Sequence, residues 1–137
     1  GVLPKTPSND AGFGQLVGID MYERRDGLSH CRLTVRPEVL NPHGVLHGAA
    51  MYALADNGMG AAVYSRLAEE ESCATIEITI VYLAPVFEGV IDCETRVIQK
   101  GKRVAALESE IRNGERLVAK ALGTFAIFPQ PRARTND

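Results

Sequence analysis

The run Asn41-Pro42-His43-Gly44-Val45-Leu46-His47-Gly48-Ala49 packs an amide, two imidazoles and two glycines into one short segment. A single acid, Asp56, follows nine positions after His47. The residues between are mostly small and carry no charge, and no lysine or arginine stands within four positions of Asp56. A carboxylate without a counter-charge suits a general base; it equally suits a hydrogen bond to a neighbouring strand backbone. Asn57 beside it is a further polar group or a spacer. Glycines at 44 and 48 flank the start of a helix, where unpaired amides and the positive dipole end favour an anion or a carbonyl oxygen gaining negative charge. A tight turn alone would ask for the same glycines.

Two other groupings invite chemistry. His43 and His47 are four apart, a spacing used by paired metal ligands. Gly44-Val45-Leu46 supplies no glutamate between them, His43 precedes the helix, and no third ligand is evident, so no metal is expected. His47 is better suited to orienting a neighbour by hydrogen bonding, and His30 reads as a structural or exposed strand residue. Lys100, Lys102 and Arg103 form a basic cluster at a turn, which serves as a solvated hairpin tip or as a phosphate contact.

These residues need elements to position them. The pattern predicts a short helical turn over Gly12–Leu16, strands over Val17–Arg24 and Leu28–Arg36 joined at Asp26-Gly27, and a helix over Leu46–Ala68. Alternation in the second strand puts Cys31, Leu33 and Val35 on one face and His30, Arg32 and Thr34 on the other. The acidic run Glu69–Glu71 marks the expected solvated end of the helix. Strands follow over Ala74–Ala84, Gly89–Gln99, Arg103–Arg112 and Glu115–Phe128, with turns at Lys100-Gly101-Lys102 and Asn113-Gly114. In the first of these, Ile76, Ile78, Ile80 and Tyr82 alternate against Thr75, Glu77 and Thr79. Glycines inside a helix cost about 1 kcal/mol each relative to alanine when exposed. The helix carries Gly48, Gly58 and Gly60 and has no polar face, so it must be wrapped by a sheet. The expected architecture is α+β: a curved, mainly antiparallel sheet of about six strands around one long central helix, which is close to a hotdog fold.

Bulk properties narrow the class. The 137 residues suit one domain spanning 1–137, with a core near 12–128 and loosely held termini. The net charge of -2 argues against a nucleic-acid partner. No apolar run is long enough for a membrane span, and no leader is evident at the start. Cys31, Cys73 and Cys93 are odd in number and widely spaced, which suggests neither a disulfide framework nor a zinc site. They read as small hydrophobes, and a cytoplasmic location is the default expectation.

The segment from Asn41 to Asp56 resembles the signature of the hotdog-fold acyl-CoA thioesterases of the phenylacetic acid degradation (PaaI-type) family. That signature has an Asn, a His-Gly-Gly six positions later, and an Asp nine after the His. Here it reads Asn41, His47-Gly48-Ala49 and Asp56. Thr75-Ile-Glu-Ile-Thr-Ile-Val-Tyr-Leu-Ala-Pro85 resembles the family's next strand, and Gln99-Lys-Gly-Lys-Arg103 its coenzyme A-contacting turn. The resemblance implies Asp56 as base or nucleophile and the Gly48 N–H as oxyanion donor. Asn41 would hold water or carbonyl, His47 would order the loop, and Thr75 would orient the water. Tyr82, Leu83, Ala84, Pro85, Lys100, Gly101, Lys102 and Arg103 would line the coenzyme A path. It further implies no cofactor beyond the coenzyme A of the substrate. The assembly would be a homodimer, extending to a dimer of dimers (a homotetramer), with each site shared between two subunits. Ala49 departs from the family's second glycine and bears on substrate preference.

Two other functions fit the same pattern. Hydration or dehydration of a CoA- or carrier-bound acyl chain would pair His47 with Asp56. A non-catalytic acyl-CoA binder would keep the basic turn and the apolar tunnel but lose the catalytic acid, which is present here as Asp56.

Overall fold

The computed structural model describes residues 12–130; the rest of the termini expected to be loosely held, 1–11 and 131–137, lies outside them. Strands β1 (Ile19–Arg25), β2 (Leu28–Thr34), β3 (Glu71–Tyr82), β4 (Val90–Lys100), β5 (Val104–Asn113) and β6 (Arg116–Pro129) form one sheet in the order β1-β2-β4-β5-β6-β3. Every neighbouring pair is antiparallel. A short helix, α1 (Gly12–Val17), precedes β1, and the long helix α2 (Gly48–Tyr64) packs against all six strands. The sheet therefore wraps the helix, and this is the hotdog fold anticipated from the glycine- and alanine-rich sequence of α2.

Four departures of the element bounds from the sequence pattern have local reasons. α2 begins at Gly48 because His47 has extended backbone and caps the helix, its Nδ1 accepting the Ala49 N–H at 2.9 Å. It ends at Tyr64 because Ser65 turns its hydroxyl back to the Ala62 carbonyl and accepts the Gly27 N–H. Glu71 does not close the helix: it opens β3 opposite Pro129 and accepts the Ala68 N–H on its side chain. At the chain's start, α1 runs through Val17, so β1 opens at Ile19.

The core lies between α2 and the concave face of the sheet. Leu33, Leu54, Met59, Ile91, Leu107 and Ile111 are fully enclosed there. Under Gly58 the sheet presents polar atoms instead. Ser29, Thr95 and Ser109 are all fully buried; Ser29 Oγ donates to the Gly58 carbonyl at 2.6 Å, and Thr95 and Ser109 share a 2.6 Å bond. A Cβ on Gly58 would stand 2.8 Å from Thr95 Oγ1, so only glycine lets the helix approach this closely. Cys31 and Cys93 face each other across β2 and β4, free and buried, as small-hydrophobe packing requires.

Both edges of the sheet carry a β-bulge. In β1, Met21 lies opposite Cys31 and Glu23 opposite His30, leaving Tyr22 as the extra residue. In β3, Thr75 lies opposite Phe125 and Glu77 opposite Thr124, leaving Ile76 extra. A bulge reverses the inward-outward alternation beyond it. Ile76 is thus exposed, and Thr75 shares the helix-facing side with Ile78, against the strict alternation expected from the sequence.

Candidate active site

The two bulged edges face each other across one flank of α2, and the cleft between them holds Asp56. It has a volume of about 320 Å³, with Ile19, Met21 and Arg24 on one wall and Cys73, Ala74 and Thr75 on the other. Asp56 is half-buried, and its Oδ1 accepts a 2.6 Å bond from Thr75 Oγ1. No cationic side chain pairs with it among the described residues. The acid is therefore held by a neutral donor on one side and open on the other. A carboxylate placed in this way can accept a proton from a water bound in the cleft.

The start of α2 forms a second, separate site. The Ala49 N–H is taken by His47 and the Ala50 N–H by the His47 carbonyl, while the Gly48 N–H has no partner among the described residues. This free amide lies at the positive end of the helix, as an oxyanion donor requires. A groove of about 380 Å³ passes it, lined by Val45, Leu46, Met51 and the run Tyr82, Leu83, Ala84 and Pro85. Tyr82 is not merely a groove wall. Its hydroxyl donates to the Gly48 carbonyl at 2.8 Å, and its ring lies where a Cβ on Gly48 would come within 3.0 Å. Burial and the neighbouring Tyr52 raise the Tyr82 phenol above its ordinary range, which keeps it a donor in this bond.

The loop before α2 is built by Asn41. Its Oδ1 accepts the N–H groups of His43 at 2.9 Å and Val45 at 3.2 Å, and its own N–H donates to Val45 O. Gly44, at φ 78°, makes the return turn that this wrapping demands. The Asn41 Nδ2 group is the part left for another partner. His43 sits in the turn outside the helix, so the two histidines do not share a helix face, and no metal-holding cluster occurs among the described residues. His30 lies on the outer sheet face with Glu23, Asp92 and Glu94 at 3.6–3.9 Å, away from both sites.

The remaining residues expected on a coenzyme A path divide into two groups. Lys102 and Arg103 line a third cavity with Glu70, Glu71 and Phe128, where β3 begins, whereas Tyr82 to Pro85 lie where it ends. Lys100 closes β4, and Gly101 donates its N–H to Val104 O in the turn. At about 3.3 Å per residue the length of β3 separates the two groups by over 30 Å. Within one chain they do not meet. Arg24 and Tyr64 also line the Asp56 cleft, and sequence patterning gave no sign of either. Strict alternation from Ile19 and Met21 sends Arg24 outward; the bulge at Tyr22 brings it in opposite Ser29.

The fold and this paired arrangement define a hotdog protein with a thioesterase-like layout. The sequence profile of the thioesterase superfamily matches residues 43–120, more than half of the chain, and the chain belongs to that superfamily. Acyl-coenzyme A thioesterase PaaI of Escherichia coli is 32% identical over 107 residues, spanning 77% of this chain and 73% of its own. The solved structure of the conserved protein PA5202 from Pseudomonas aeruginosa superposes with a TM-score of 0.84 at 36% identity, covering 86% of this chain and 94% of that one. A Haemophilus influenzae thioesterase, HI1161, shares the fold at 23% identity, with a TM-score of 0.79 over 82% of this chain and 80% of its own.

Proposed function

We propose that this protein hydrolyses acyl- or aryl-CoA thioesters in the manner of the PaaI-type enzymes, through a site completed by a second copy of the chain. The observation that carries this reading is the Asp56 carboxylate, fixed by Thr75 yet paired with no cation among the described residues. Asp56 takes a proton from water as the water oxygen bonds to the thioester carbonyl carbon. The Gly48 N–H stabilises the carbonyl oxygen as it gains charge. The C–S bond then breaks, and a thiol with a pKa of about 8.5 leaves as thiolate without a strong general acid. Base and oxyanion donor are a sufficient set for this reaction.

Support for a shared site comes from the separation of the halves. Gly48 and Asp56 lie eight residues apart on one helix, about 12 Å along its axis, in different cavities. β3 is an edge strand of 12 residues whose outer side pairs with no strand among the described residues, and beside it Ile76, Val81, Leu83 and Leu122 are each more than half exposed. Such an edge is covered most simply by its own copy, because antiparallel strands pair about a two-fold axis. A pairing centred between Ile78 and Thr79 sets Thr75 of one chain opposite Tyr82 of the other. Asp56 is thereby carried toward the partner's Gly48, and Lys102 and Arg103 toward the far groove from Tyr82 to Pro85. A further pairing of dimers into a tetramer fits the same reading.

Release of free thiol from a panel of short, long and aromatic CoA thioesters tests the reaction. Turnover of at least one supports it. Tight binding of these thioesters without thiol release would leave a non-catalytic binder, and loss of conjugated absorbance from an enoyl-CoA would move the chemistry to hydration.

A further inference from the structure

We infer that the cleft at Asp56 selects acyl groups carrying an anionic end, and that Arg24 is the residue that reads it. The inference rests on the proposed hydrolase reading for its choice of substrate and adds the chemistry of the acyl terminus.

Two of the described arginines are not exposed, Arg24 and Arg36. Arg36 spends its guanidinium on the chain itself, donating to the carbonyls of Val17 and Leu16. Arg24 has no carboxylate, carbonyl or hydroxyl partner among the described residues. Taking a guanidinium partly out of water without an acceptor is costly, and such groups are ordinarily paired. The strand does not place it there by default: it is the extra residue Tyr22 that turns Arg24 from the outer face to the inner one.

The rest of the cleft gives this charge a ligand direction. Along α2 from Asp56 come Gly60, Ala61 and Tyr64, so small residues leave the floor open for about 12 Å until Tyr64. Arg24 and Tyr64 are also the common wall of the next cavity, about 260 Å³, lined by Arg25, Asp26 and Ser65. The far end of the cleft thus sets two guanidinium groups, Arg24 and Arg25, against one carboxylate, Asp26, beside two hydroxyls, while Ile19, Met21 and Phe125 line the stretch before it. That sequence of surfaces matches a half-thioester of a dicarboxylic acid: thioester at Asp56, methylenes along the apolar walls, carboxylate on the Arg24 fork. A planar guanidinium suits such a carboxylate through paired hydrogen bonds.

Adipyl-CoA and hexanoyl-CoA have the same chain length and differ in the terminal carboxylate. The wild-type protein should show the higher kcat/KM with adipyl-CoA. Arg24→Gln should lower that value by about 10–100-fold, the scale of a charge-assisted hydrogen bond, and leave hexanoyl-CoA within about twofold. Arg24→Lys should restore part of the preference. Equal losses on both substrates, or a wild-type preference for hexanoyl-CoA, overturns the inference and leaves the hydrolase reading standing. Absence of turnover on every thioester overturns the hydrolase reading instead. The inference is then decided by calorimetric Kd values for the same two compounds, and equal values in wild type and Arg24→Gln refute it.

Discussion

Asp56 and Gly58 stand two residues apart on α2 and face opposite environments. Gly58 lies over the centre of the sheet, where Ser29, Thr95 and Ser109 are buried and satisfy one another or the helix carbonyl. Asp56 lies over the cleft between the sheet's edges, where one hydroxyl holds it and its remaining lone pairs face open space. Both places put polar atoms against an apolar helix. Where every polar group is paired and dry, the arrangement fixes position; where one is held and still unpaired, it can do chemistry.

The sharpest way to break this comparison is Asp56→Ala. It should lower kcat by about 10²–10⁴, the range of a general base, with little change in melting temperature because the side chain is half-buried beside open space. Steady-state kinetics and a thermal melt on the same preparation separate the two. Near-normal turnover would remove Asp56 from the mechanism. Single-turnover hydrolysis in heavy-oxygen water distinguishes base from nucleophile, since label in the Asp56 carboxylate would mean that the acid attacks the thioester itself.

Gly58→Ala should do the reverse. Its new Cβ would meet Thr95 Oγ1 at 2.8 Å, and overpacking of this kind costs about 1–3 kcal/mol. The expected result is a melting temperature lower by several degrees with kcat retained at a temperature where the protein is folded. An unchanged melt would mean that helix and sheet have slack where the contacts show none. Thr75→Val tests the chemical side again at smaller scale. It keeps the β-branched shape that suits the strand and removes the donor to Asp56, so kcat should fall about tenfold, the value of one hydrogen bond to a charged group. Thr75→Ser should recover most of it.

How far the sequence revealed each region follows from the same physics. The wrapped helix was legible because glycines and alanines at 48, 49, 50, 53, 55, 58, 60, 61 and 62 leave no polar face, and only a curved sheet satisfies such a helix. His47 was legible as an orienting group, and it caps α2. The bulges were not legible. Nothing in Thr75-Ile76-Glu77 or Met21-Tyr22-Glu23 marks the extra residue, since register is set by pairing with a distant strand. For that reason the face of Thr75 was misread from alternation although the resemblance had singled the residue out, and Arg24 was missed altogether. The contact of Tyr82 with Gly48 was hidden in the same way, because it joins residues 34 apart in the chain.

The finest test is Ser29→Ala, which touches the buried side of the comparison alone. Ser29 Oγ donates to the Gly58 carbonyl, which lies inside α2 and keeps its helical partner when the hydroxyl is removed. No buried donor is orphaned, and the loss is one neutral hydrogen bond plus a small void. Stability should therefore fall by about 0.5–1.5 kcal/mol, read as the shift in denaturant midpoint at constant slope. Activity per folded molecule should not move, because the deleted group lies beneath the helix and Asp56 faces the cleft. A drop in kcat as large as that of Thr75→Val would mean that the two sides of α2 are coupled, with the paired hydroxyls holding the angle at which the helix presents its acid.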